Sequence, residues 1–364
     1  LPLDRLLTGF CLLAWASLCH DCANAQSRRS PALPSTLGEI SSESEIVLFA
    51  TMVEEISGDE EKRSSTTTAR FQVAEVIKGN KAIAPSGRFM ARCSRLALSQ
   101  EFVLFAGEAR SIANPTVQWK LVGGLSAEDR HAFRKTLQPD RPDGMPLEYF
   151  LGQLEHPNQM ISSNAHLEFS LASDDELMAL REQMDPDKLL ERVQSPEIIP
   201  RRAQLYFAML VICEDRRVAD WIEPQLAELD GGSRIALSGI HSYLSLTGRR
   251  GLRVINREII GNLSSEYVTV FSAIQALRLF REFESSEIGR DDLIHSFRMV
   301  LARPLMADLV IPDLAACEDW ESAERLARMF ADATDENHWV RVPIVNFLDQ
   351  CPLAKGKSLL TELE

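Results

Sequence analysis

The sequence predicts a small antiparallel β-barrel followed by an all-α helical-repeat solenoid. Between residues 46 and 122, short segments alternate apolar and polar side chains between polar turns, which is the pattern of strands. From about Pro146 onward, the second helices of successive helix pairs recur at intervals of roughly 32 to 40 residues, the period of a stacked-helix array. Such arrays bury their apolar faces only between neighbouring pairs and usually bind other molecules.

The first 25 residues predict an export signal. Arg5 precedes a 13-residue apolar run from Leu6 to Leu18, and Ala23-Asn24-Ala25 fits the small-x-small pattern for cleavage before Gln26. The alternatives are a misassigned start and a membrane anchor, although this run is too short to span about 30 Å of hydrocarbon. We therefore expect an exported protein of the periplasm, cell envelope or extracellular space, with no membrane insertion of the mature chain.

A β-domain is expected over residues 40–137. Residues 26–39 are polar with two prolines and predict a flexible lead-in. Strands are predicted at 46–53, 67–78, 88–93, 101–107 and 117–122. A helix then runs to Leu137, with Ser126 as its N-cap and Asp129 at its third position. The proline- and glycine-containing residues 138–145 predict a linker.

Residues 146–364 are expected to form the solenoid. The helix after Glu266 carries Val270, Ile274 and Leu277 in one apolar stripe, and the segment Ala203–Cys213 is apolar on nearly all sides. A second helix covered by neighbours on both sides has that composition. The predicted second helices begin near Gln159, Ile199, Gly232, Ser265, Leu305 and Asn337.

The charge of the chain excludes one class of partner. The net charge is −14, and residues 146–364 hold 22 basic and 36 acidic residues, whereas the first 145 residues balance. The helical half therefore carries the whole acidic excess. Because that surface repels phosphates and anionic lipid headgroups, no nucleic-acid partner is expected.

Four cysteines remain after the predicted cleavage site. Cys213, Cys317 and Cys351 each close a second helix, whereas Cys93 lies in the β-domain. Helices packed about 8–10 Å apart usually hold their Cα atoms too far apart for a disulfide. Buried free thiols are therefore favoured over disulfides, although an exported chain meets oxidising conditions.

The strand series resembles the OB-fold netrin-like domains, which include the tissue inhibitors of metalloproteinases. The matching segments are EIVLFATMV from Glu45, FQVAEVIKG from Phe71 and EFVLFAG from Glu101. The resemblance implies a barrel that docks a partner or inhibits an enzyme. In those inhibitors an N-terminal cysteine binds the protease zinc, whereas here Gln26 would be first and Cys93 is the domain's only cysteine. Zinc-directed inhibition is therefore not implied.

The helical half resembles HEAT repeats. Leu and Ile recur at helical spacing, Asp or Pro occupies the turns, and Arg or Ala falls early in the second helix. The combination of export signal, β-domain and HEAT-like α-solenoid is similar to uncharacterised exported proteins of planctomycete-type bacteria. This likeness implies an architecture and no activity.

The sequence contains no recognised catalytic signature. No H-E-x-x-H, G-x-S-x-G or G-x-G-x-x-G pattern occurs, and Gly356-Lys357-Ser358 lacks the upstream glycine of a phosphate-binding loop. The run Asp174-Asp175-Glu176, with Asp185 and Asp187, offers either a calcium site or helix caps, and capping by Ser173 accounts for it. We therefore predict no cofactor, no metal site and no enzyme activity.

One basic cluster is the candidate site. Arg249, Arg253 and Arg257 stand four residues apart on one helix face. They either pair with acids of the neighbouring repeat or donate to a carboxylate or sulfate ligand. Separately, three tryptophans serve either as groove anchors or as core residues, and His241 is expected to be a core or groove residue rather than a ligand. The tryptophans are Trp221, Trp320 and Trp339.

These observations favour an exported, non-enzymatic scaffold that binds a protein partner in the cell envelope through the helical-repeat groove. The alternative is an inhibitor or accessory subunit that acts on an envelope enzyme through the β-domain. A third possibility is an enzyme whose site lies between the domains and carries no motif. The oligomeric state and the identity of the partner do not follow from the sequence.

Overall fold

The structure is a computed structural model that describes residues 35–56, 66–79, 86–94, 102–107, 119–137, 145–229, 233, 235–282 and 287–363. The predicted export signal, residues 26–34 of the lead-in and residues 138–144 of the linker lie outside these ranges. The described chain divides into two compact units, one ending at Ala172 and the other beginning at Ser173.

The first unit contains a five-stranded antiparallel sheet. Its strands are β1 (Ile46–Glu55), β2 (Thr66–Lys78), β3 (Arg88–Ser94), β4 (Phe102–Gly107) and β5 (Lys120–Leu125). The strand order is β3-β2-β1-β4-β5, so β1 is central. The sequence predicted all five strands, and only the fifth is displaced, by three residues. A β-domain followed by a helical region is therefore confirmed.

Both faces of β1 are covered, which explains its continuous apolar run. Residues 46–50 are fully buried. Ile46, Leu48 and Ala50 pack with Phe71 and the β3 side chains in one core. Val47 and Phe49 point into a second core, which is formed with the helices of this unit. Successive strand residues face opposite sides of a sheet, so a strand buried on both sides needs apolar residues throughout.

The unit begins with a helix that the sequence analysis did not predict. Helix α1 (Leu37–Glu43) starts with a capping box, in which the Thr36 side chain accepts from Glu39 N and the Glu39 carboxylate accepts from Thr36 N. Leu37 and Ile40 are buried in the second core. The prediction of a flexible lead-in was therefore wrong for residues 36–39, because burial of these apolar residues orders the segment.

A second helix, α2 (Asp129–Thr136), follows β5 as predicted. The Ser126 hydroxyl accepts from Asp129 N at 3.2 Å and donates to its carboxylate at 2.8 Å. Burial acts to raise the pKa of Asp129, but hydrogen bonds from Asn158 and Ser126 outweigh it and lower that pKa. The predicted contact between Ser126 and Asp129 is present, but the α-helix itself begins at Asp129 with Glu128 as its N-cap, so Ser126 lies in the turn before it.

Two further helices complete the first unit: α3 (Leu147–Leu151) and α4 (Gln159–Leu171). Ile161 of α4 is buried in the second core, and the Asn164 side chain accepts from Leu37 N at 2.7 Å. The helix at Gln159, which the sequence assigned to the solenoid, is thus part of the unit that contains the sheet. The division between the units falls after Ala172, downstream of the predicted linker at 138–145.

The second unit consists of helices. They are α5 (Asp174–Ala179), α6 (Pro186–Gln194), α7 (Pro200–Ile212), α8 (Arg217–Ile222), α9 (Ala236–Ile255), α10 (Tyr267–Glu282), α11 (Arg290–Val300), α12 (Ala307–Ala316), α13 (Ala323–Ala331), α14 (Arg341–Gln350) and α15 (Ala354–Leu363). Short 3₁₀ segments adjoin several of them, and a π-helical segment, Asn256–Ile260, extends α9. The five later second helices that the sequence predicted correspond to α7, α9, α10, α12 and α14.

Helix α9 joins two predicted helices through a single residue. Gly248 has φ 55° and ψ −137°, which breaks the helix between Thr247 and Arg249. A Cβ atom at Gly248 would lie 2.9 Å from Glu287 Oε2. Glycine tolerates a positive φ because it has no Cβ. Residues 236–247 therefore act as the second helix of one pair and residues 249–260 as the first helix of the next.

The second helices contact one another in chain order. The first helices are α6, α8 with its 3₁₀ extension, 249–260, α11 and α13, and the second helices are α7, 236–247, α10, α12 and α14. Phe207 of α7 lies against Gly239, the His241 ring lies 5.2 Å from the Phe280 ring of α10, and α12 packs against α14. The first helices α6, α11 and α13 pack against the second helices that follow them, α7, α12 and α14. The second helices are consequently buried along most of their length.

Candidate functional site

The predicted arginine stripe lies on the exposed face of the first helix 249–260. Arg249 Nη2 is 2.7 Å from Asp292 Oδ2 at the start of α11, and Arg257 Nε is 2.5 Å from Glu258 Oε1. Arg253 is exposed, and no ion pair involves it within the part of the chain that the structure describes. Pairing with an acid of the neighbouring repeat, one of the two predicted alternatives, therefore occurs for Arg249, whereas Arg257 pairs with the next residue of its own helix.

Arg250, next to the stripe, links the same helix to the preceding first helix. Its Nη2 lies 3.0 Å from Glu223 Oε2, which also accepts from the Tyr243 hydroxyl at 2.8 Å. Burial and this hydrogen bond raise the pKa of Tyr243. Arg249 and Arg250 thus hold the helix between its two neighbours.

Equivalent ion pairs join other consecutive first helices. Arg217 Nη1 lies 2.6 Å from Asp187 Oδ1, and Lys355 Nζ lies 2.5 Å from Glu324 Oε1. Most of these side chains are well exposed, where a single pair contributes about 0–1 kcal/mol. The arginine stripe is therefore one part of a series of weak surface pairs between neighbouring helices.

Sequence reasoning missed a buried ion cluster between two second helices. Asp313 of α12 is 2% exposed and accepts from Arg278 and Arg281 of α10. Arg278 Nη2 also donates to Leu309 O at 2.7 Å. The sequence signal is an Asp inside the apolar run LVIPDLAA, together with two Arg residues three apart in α10. The pairing itself follows only once α10 and α12 are neighbours.

A second buried carboxylate lies in the turn after α12. Asp319 accepts from Arg298 Nε at 2.8 Å and from the Ser322 hydroxyl at 2.6 Å. These hydrogen bonds to Asp319 raise the pKa of Arg298. The cluster is satisfied within the chain and leaves no open donor or acceptor on Asp319 that would point to a ligand.

The turns after α7 and α12 repeat the same three residues. Cys213-Glu214-Asp215 and Cys317-Glu318-Asp319 both place their Glu at positive φ, 55° and 51°. In both, the Asp amide donates to a carbonyl five residues earlier, at 3.0 Å and 2.9 Å. The Glu side chains accept from Arg181 and Arg290 respectively. Two turns that are far apart in the sequence therefore have the same residues, the same positive φ at Glu and the same backbone hydrogen bond from Asp.

The thiols agree with the sequence analysis. Cys213, Cys317 and Cys351 are free, and each lies at the C-cap of a second helix. Burial raises the pKa of the Cys213 and Cys317 thiols, which keeps them protonated and unreactive. The prediction of free thiols is confirmed for these three, and the Cys93 side chain lies outside the described part of the chain.

The acidic run at Asp174 forms helix caps. Ser173 Oγ accepts from Glu176 N, and the Glu176 carboxylate accepts from Ser173 N at 2.8 Å. Asp185 caps α6 by accepting from Lys188 N at 3.2 Å. Asp187 is paired with Arg217. Across the described ranges, no three His, Cys, Asp or Glu side chains are grouped so that they could hold a metal ion.

The singled-out aromatic residues fall into two groups. His241 is 1% exposed, and burial lowers its pKa to about 3. The Trp320 ring lies 5.2 Å from the Phe347 ring, and Trp221 is half-buried. Trp339, in contrast, is exposed in the turn before α14. His241 and Trp320 are packing residues, whereas Trp339 belongs to a surface.

That surface is defined by where exposed apolar side chains occur in the second unit. Eight large apolar residues are exposed among its described residues, and seven lie in the turn from a first helix to a second helix or in the first two residues of the second helix. We call these seven the apolar turn edge: Ile199, Leu263, Tyr267, Val268, Leu305, Trp339 and Val342. The eighth, Leu353, follows α14 at the other type of turn, and is 49% exposed against 76% for Leu263 and 67% for Leu305.

The polar residues in the same turns are predominantly acidic at the surface. Glu197, Asp332, Asp335 and Glu336 are exposed. Two cations there are held by backbone carbonyls: Arg303 Nε donates to Ile260 O at 2.9 Å, and Arg341 Nη2 to Ala333 O at 2.7 Å. A third cation, Arg201 at the start of α7, is exposed. The apolar turn edge is thus flanked by carboxylates.

Asp308 is a further acid beside Leu305. Its Oδ1 atom is buried without a hydrogen-bond partner within the described residues, and burial raises the pKa of its carboxyl. Buried polar atoms nearly always have a partner, so this oxygen is an exception, but its burial keeps it out of reach of a ligand at the surface.

The first unit has a smaller exposed apolar patch. It lies at the end of β1 and on β3, where Arg70 of β2 pairs with Glu54 at 2.5 Å between the strands. The exposed residues are Met52, Val53, Ile56 and Met90.

Comparisons with protein-family models, curated proteins and solved structures find no match to this chain. Among its described helices, none combines the length and apolar character needed to cross a membrane. The function is therefore argued from the surfaces and contacts above.

Proposed function

We propose that the chain is an exported, non-enzymatic scaffold that binds a protein partner in the cell envelope through its helical unit. On this proposal the first unit is an OB-type, netrin-like barrel and the second a HEAT-like α-solenoid. The strand order β3-β2-β1-β4-β5 supports the barrel, because pairing β5 with β3 would close the sheet. The neighbouring second helices and the repeated Cys-Glu-Asp turn support the solenoid.

The observation that carries the proposal is the apolar turn edge. Single exposed apolar residues are scattered over any protein surface and need no explanation. Among the described residues of the second unit, seven of the eight exposed large apolar side chains lie at the same place in the helix pair, where the first helix turns into the second. In an antiparallel helix pair that position lies at one end, so stacked pairs align these residues along one edge. The sequence analysis placed partner binding in the groove, and we now assign it to this edge.

A capture experiment tests the proposal. The chain from Gln26 onward is crosslinked to the envelope fraction of its native host, and captured proteins are quantified for three forms. These are the wild type, the Leu263→Ser/Leu305→Ser variant, and Leu353→Ser as a matched control with an exposed leucine at the other type of turn. We expect a partner that the wild type and the control retain and that the double variant loses at least roughly tenfold. Equal capture by all three forms would overturn the proposal.

The alternative function is inhibition or support of an envelope enzyme through the β-domain. The exposed patch of Met52, Val53, Ile56 and Met90 favours it, because exposed apolar clusters mark interaction sites. A Met52→Ser/Met90→Ser variant added to the same capture experiment separates the two. Loss of the partner in this variant, with retention in Leu263→Ser/Leu305→Ser, would favour the alternative.

A further inference from the structure

We propose that the apolar turn edge binds a basic peptide segment of the partner, with apolar side chains seated on the edge and Lys or Arg side chains facing its carboxylates. This inference rests on the proposed function and adds the chemistry of the ligand. It draws on two independent features of the same turns, the repeated apolar exposure and the excess of exposed acids.

The repeat sets the reach of such a segment. Neighbouring packed helices are about 8–10 Å apart, so four steps from the turn at Ile199 to that at Trp339 cover roughly 30–40 Å. An extended peptide advances about 3.3 Å per residue, so roughly 10–12 residues span the edge. An apolar side chain about every third residue would then meet successive turns. A short extended peptide therefore fits this surface better than the surface of a compact folded domain does.

The acids select the charge of that segment. Glu197, Asp332, Asp335 and Glu336 are exposed in the turns, while the Arg303 and Arg341 guanidinium groups are bound to backbone carbonyls. Lys and Arg at the rim of an apolar contact provide that complementarity.

The same charge argument excludes other occupants. A second copy of this chain carries a net charge of −14 and would bring like charge to the edge. Anionic lipid surfaces and nucleic acids are repelled for the same reason. The occupant is therefore a cationic protein segment.

The test uses two fluorescent peptides of 12 residues with Leu at every third position. One carries Lys at all other positions and the other carries Glu. Fluorescence anisotropy with the chain from Gln26 onward gives each Kd at low and moderate salt. We expect the Lys peptide to bind, more tightly at low salt, and the Glu peptide to bind at least roughly a hundredfold more weakly.

Four variants locate the binding. Leu263→Ser/Leu305→Ser is expected to weaken binding of the Lys peptide at least roughly tenfold, and Asp335→Asn/Glu336→Gln about three- to tenfold. Leu353→Ser controls for exposed leucines, and Asp175→Asn controls for an exposed acid outside the edge. Both controls should leave the Kd unchanged. Neutral substitutions are used so that no variant adds charge.

The outcomes separate this inference from the proposed function. If neither peptide binds, if both bind equally, or if the acid variant behaves like its control, the basic-segment inference is wrong. The capture experiment with native proteins can still succeed in each of these cases. If native capture also ignores Leu263→Ser/Leu305→Ser, the edge itself is not the binding surface and both proposals fail.

Discussion

Arg278 of α10 directs its guanidinium group at the carboxylate of Asp313 in α12, with Nε 3.0 Å from both carboxylate oxygens and Nη2 2.8 Å from Oδ2. Such a bidentate arrangement fixes orientation as well as contact. Because Asp313 is buried and also accepts from Arg281, one carboxylate holds two cations of the adjacent second helix. The contact joins two neighbours in the helical layer whose edge we propose as the binding surface.

Removal of Asp313 should destabilise the helical unit strongly. Asp313→Ala leaves two partly buried guanidinium groups without their counter-charge, which typically costs about 3–5 kcal/mol. Urea unfolding of the full chain, followed by helical circular dichroism, measures the change. Asp349→Ala, at an exposed position of α14, is the control and should stay within about 0.5 kcal/mol of wild type. A loss below about 1 kcal/mol in Asp313→Ala would contradict the importance of this pair.

Gly248→Ala should break the joint within α9. Alanine would have to adopt φ 55° and ψ −137° and would place its Cβ 2.9 Å from Glu287 Oε2. Sparsely populated backbone conformations cost about 1–3 kcal/mol each, and the close contact adds to that cost. Thermal unfolding should show a clear loss for this variant. Gly152→Ala, where the nearest atom is 3.9 Å away, should be neutral or slightly stabilising. Similar Tm values for the two variants would contradict the claim that the break in α9 requires glycine at position 248.

His241 should make the helical unit less stable in mild acid. Burial lowers its folded-state pKa to about 3 from an ordinary value of 6.5, so the unfolded chain binds a proton that the folded chain does not. Neutral His241 therefore costs the folded state nothing above pH 6.5, the pKa of the unfolded state. As the pH falls from about 6.5 toward 3, protonation of the unfolded chain lowers the free energy of unfolding. Between pH 7 and pH 5 the loss is about 2 kcal/mol. His241→Phe removes this contribution, so its unfolding free energy should fall less over that range. Parallel pH curves for the two proteins would contradict the assignment.

Glu168 in the first unit should show the opposite dependence. Burial raises the pKa of Glu168 above its ordinary value of 4.5. The nearby Glu39 charge raises it further, and a hydrogen bond with Thr36 lowers it, but by less than burial raises it. The folded state therefore holds its proton more tightly, and the associated stability is present at low pH and lost as pH rises through the folded-state pKa. Glu168→Gln, which stays neutral, should have the higher Tm at pH 8, and the gain should shrink by pH 4. A variant that is less stable at pH 8 would contradict this.

Local patterns predicted the elements that depend on local physics. The alternation in TTARFQVAEVIK gave β2, and the pair Ser126 and Asp129 gave the turn that precedes α2. The starts of α7, α10, α12 and α14 followed from helical spacing, and the C-terminal cysteines of α7, α12 and α14 from the same alignment. In each case the residues that determine the structure are close in sequence.

The features that were missed depend on distant contacts. Thr36 and Glu39 form a capping box, but the helix they begin is ordered by a core contributed by β1 and α4. The Arg278–Asp313 pair joins residues 35 apart. The repeat period predicts that successive second helices are neighbours, but it does not show which of their side chains meet, nor that β1 and α4 cover α1.

The apolar turn edge did leave a signal in the sequence. Turns are expected to be polar, yet GNLSSEYV and ARPLMAD carry Leu263 and Leu305 at positions with no core to fill. The sequence analysis proposed Arg249, Arg253 and Arg257 instead, and two of these three arginines are paired within the helical unit.

Site-specific photocrosslinking tests the central claim most directly. A photoreactive phenylalanine derivative is introduced at Leu263, Leu305 or Val342, and separately at Leu353 and Arg253, and the native envelope fraction is irradiated with each form. We predict crosslinks to the same partner protein from the three edge positions and none from the other two. Crosslinks from Leu353 or Arg253, with none from the edge, would contradict the assignment of partner binding to the apolar turn edge.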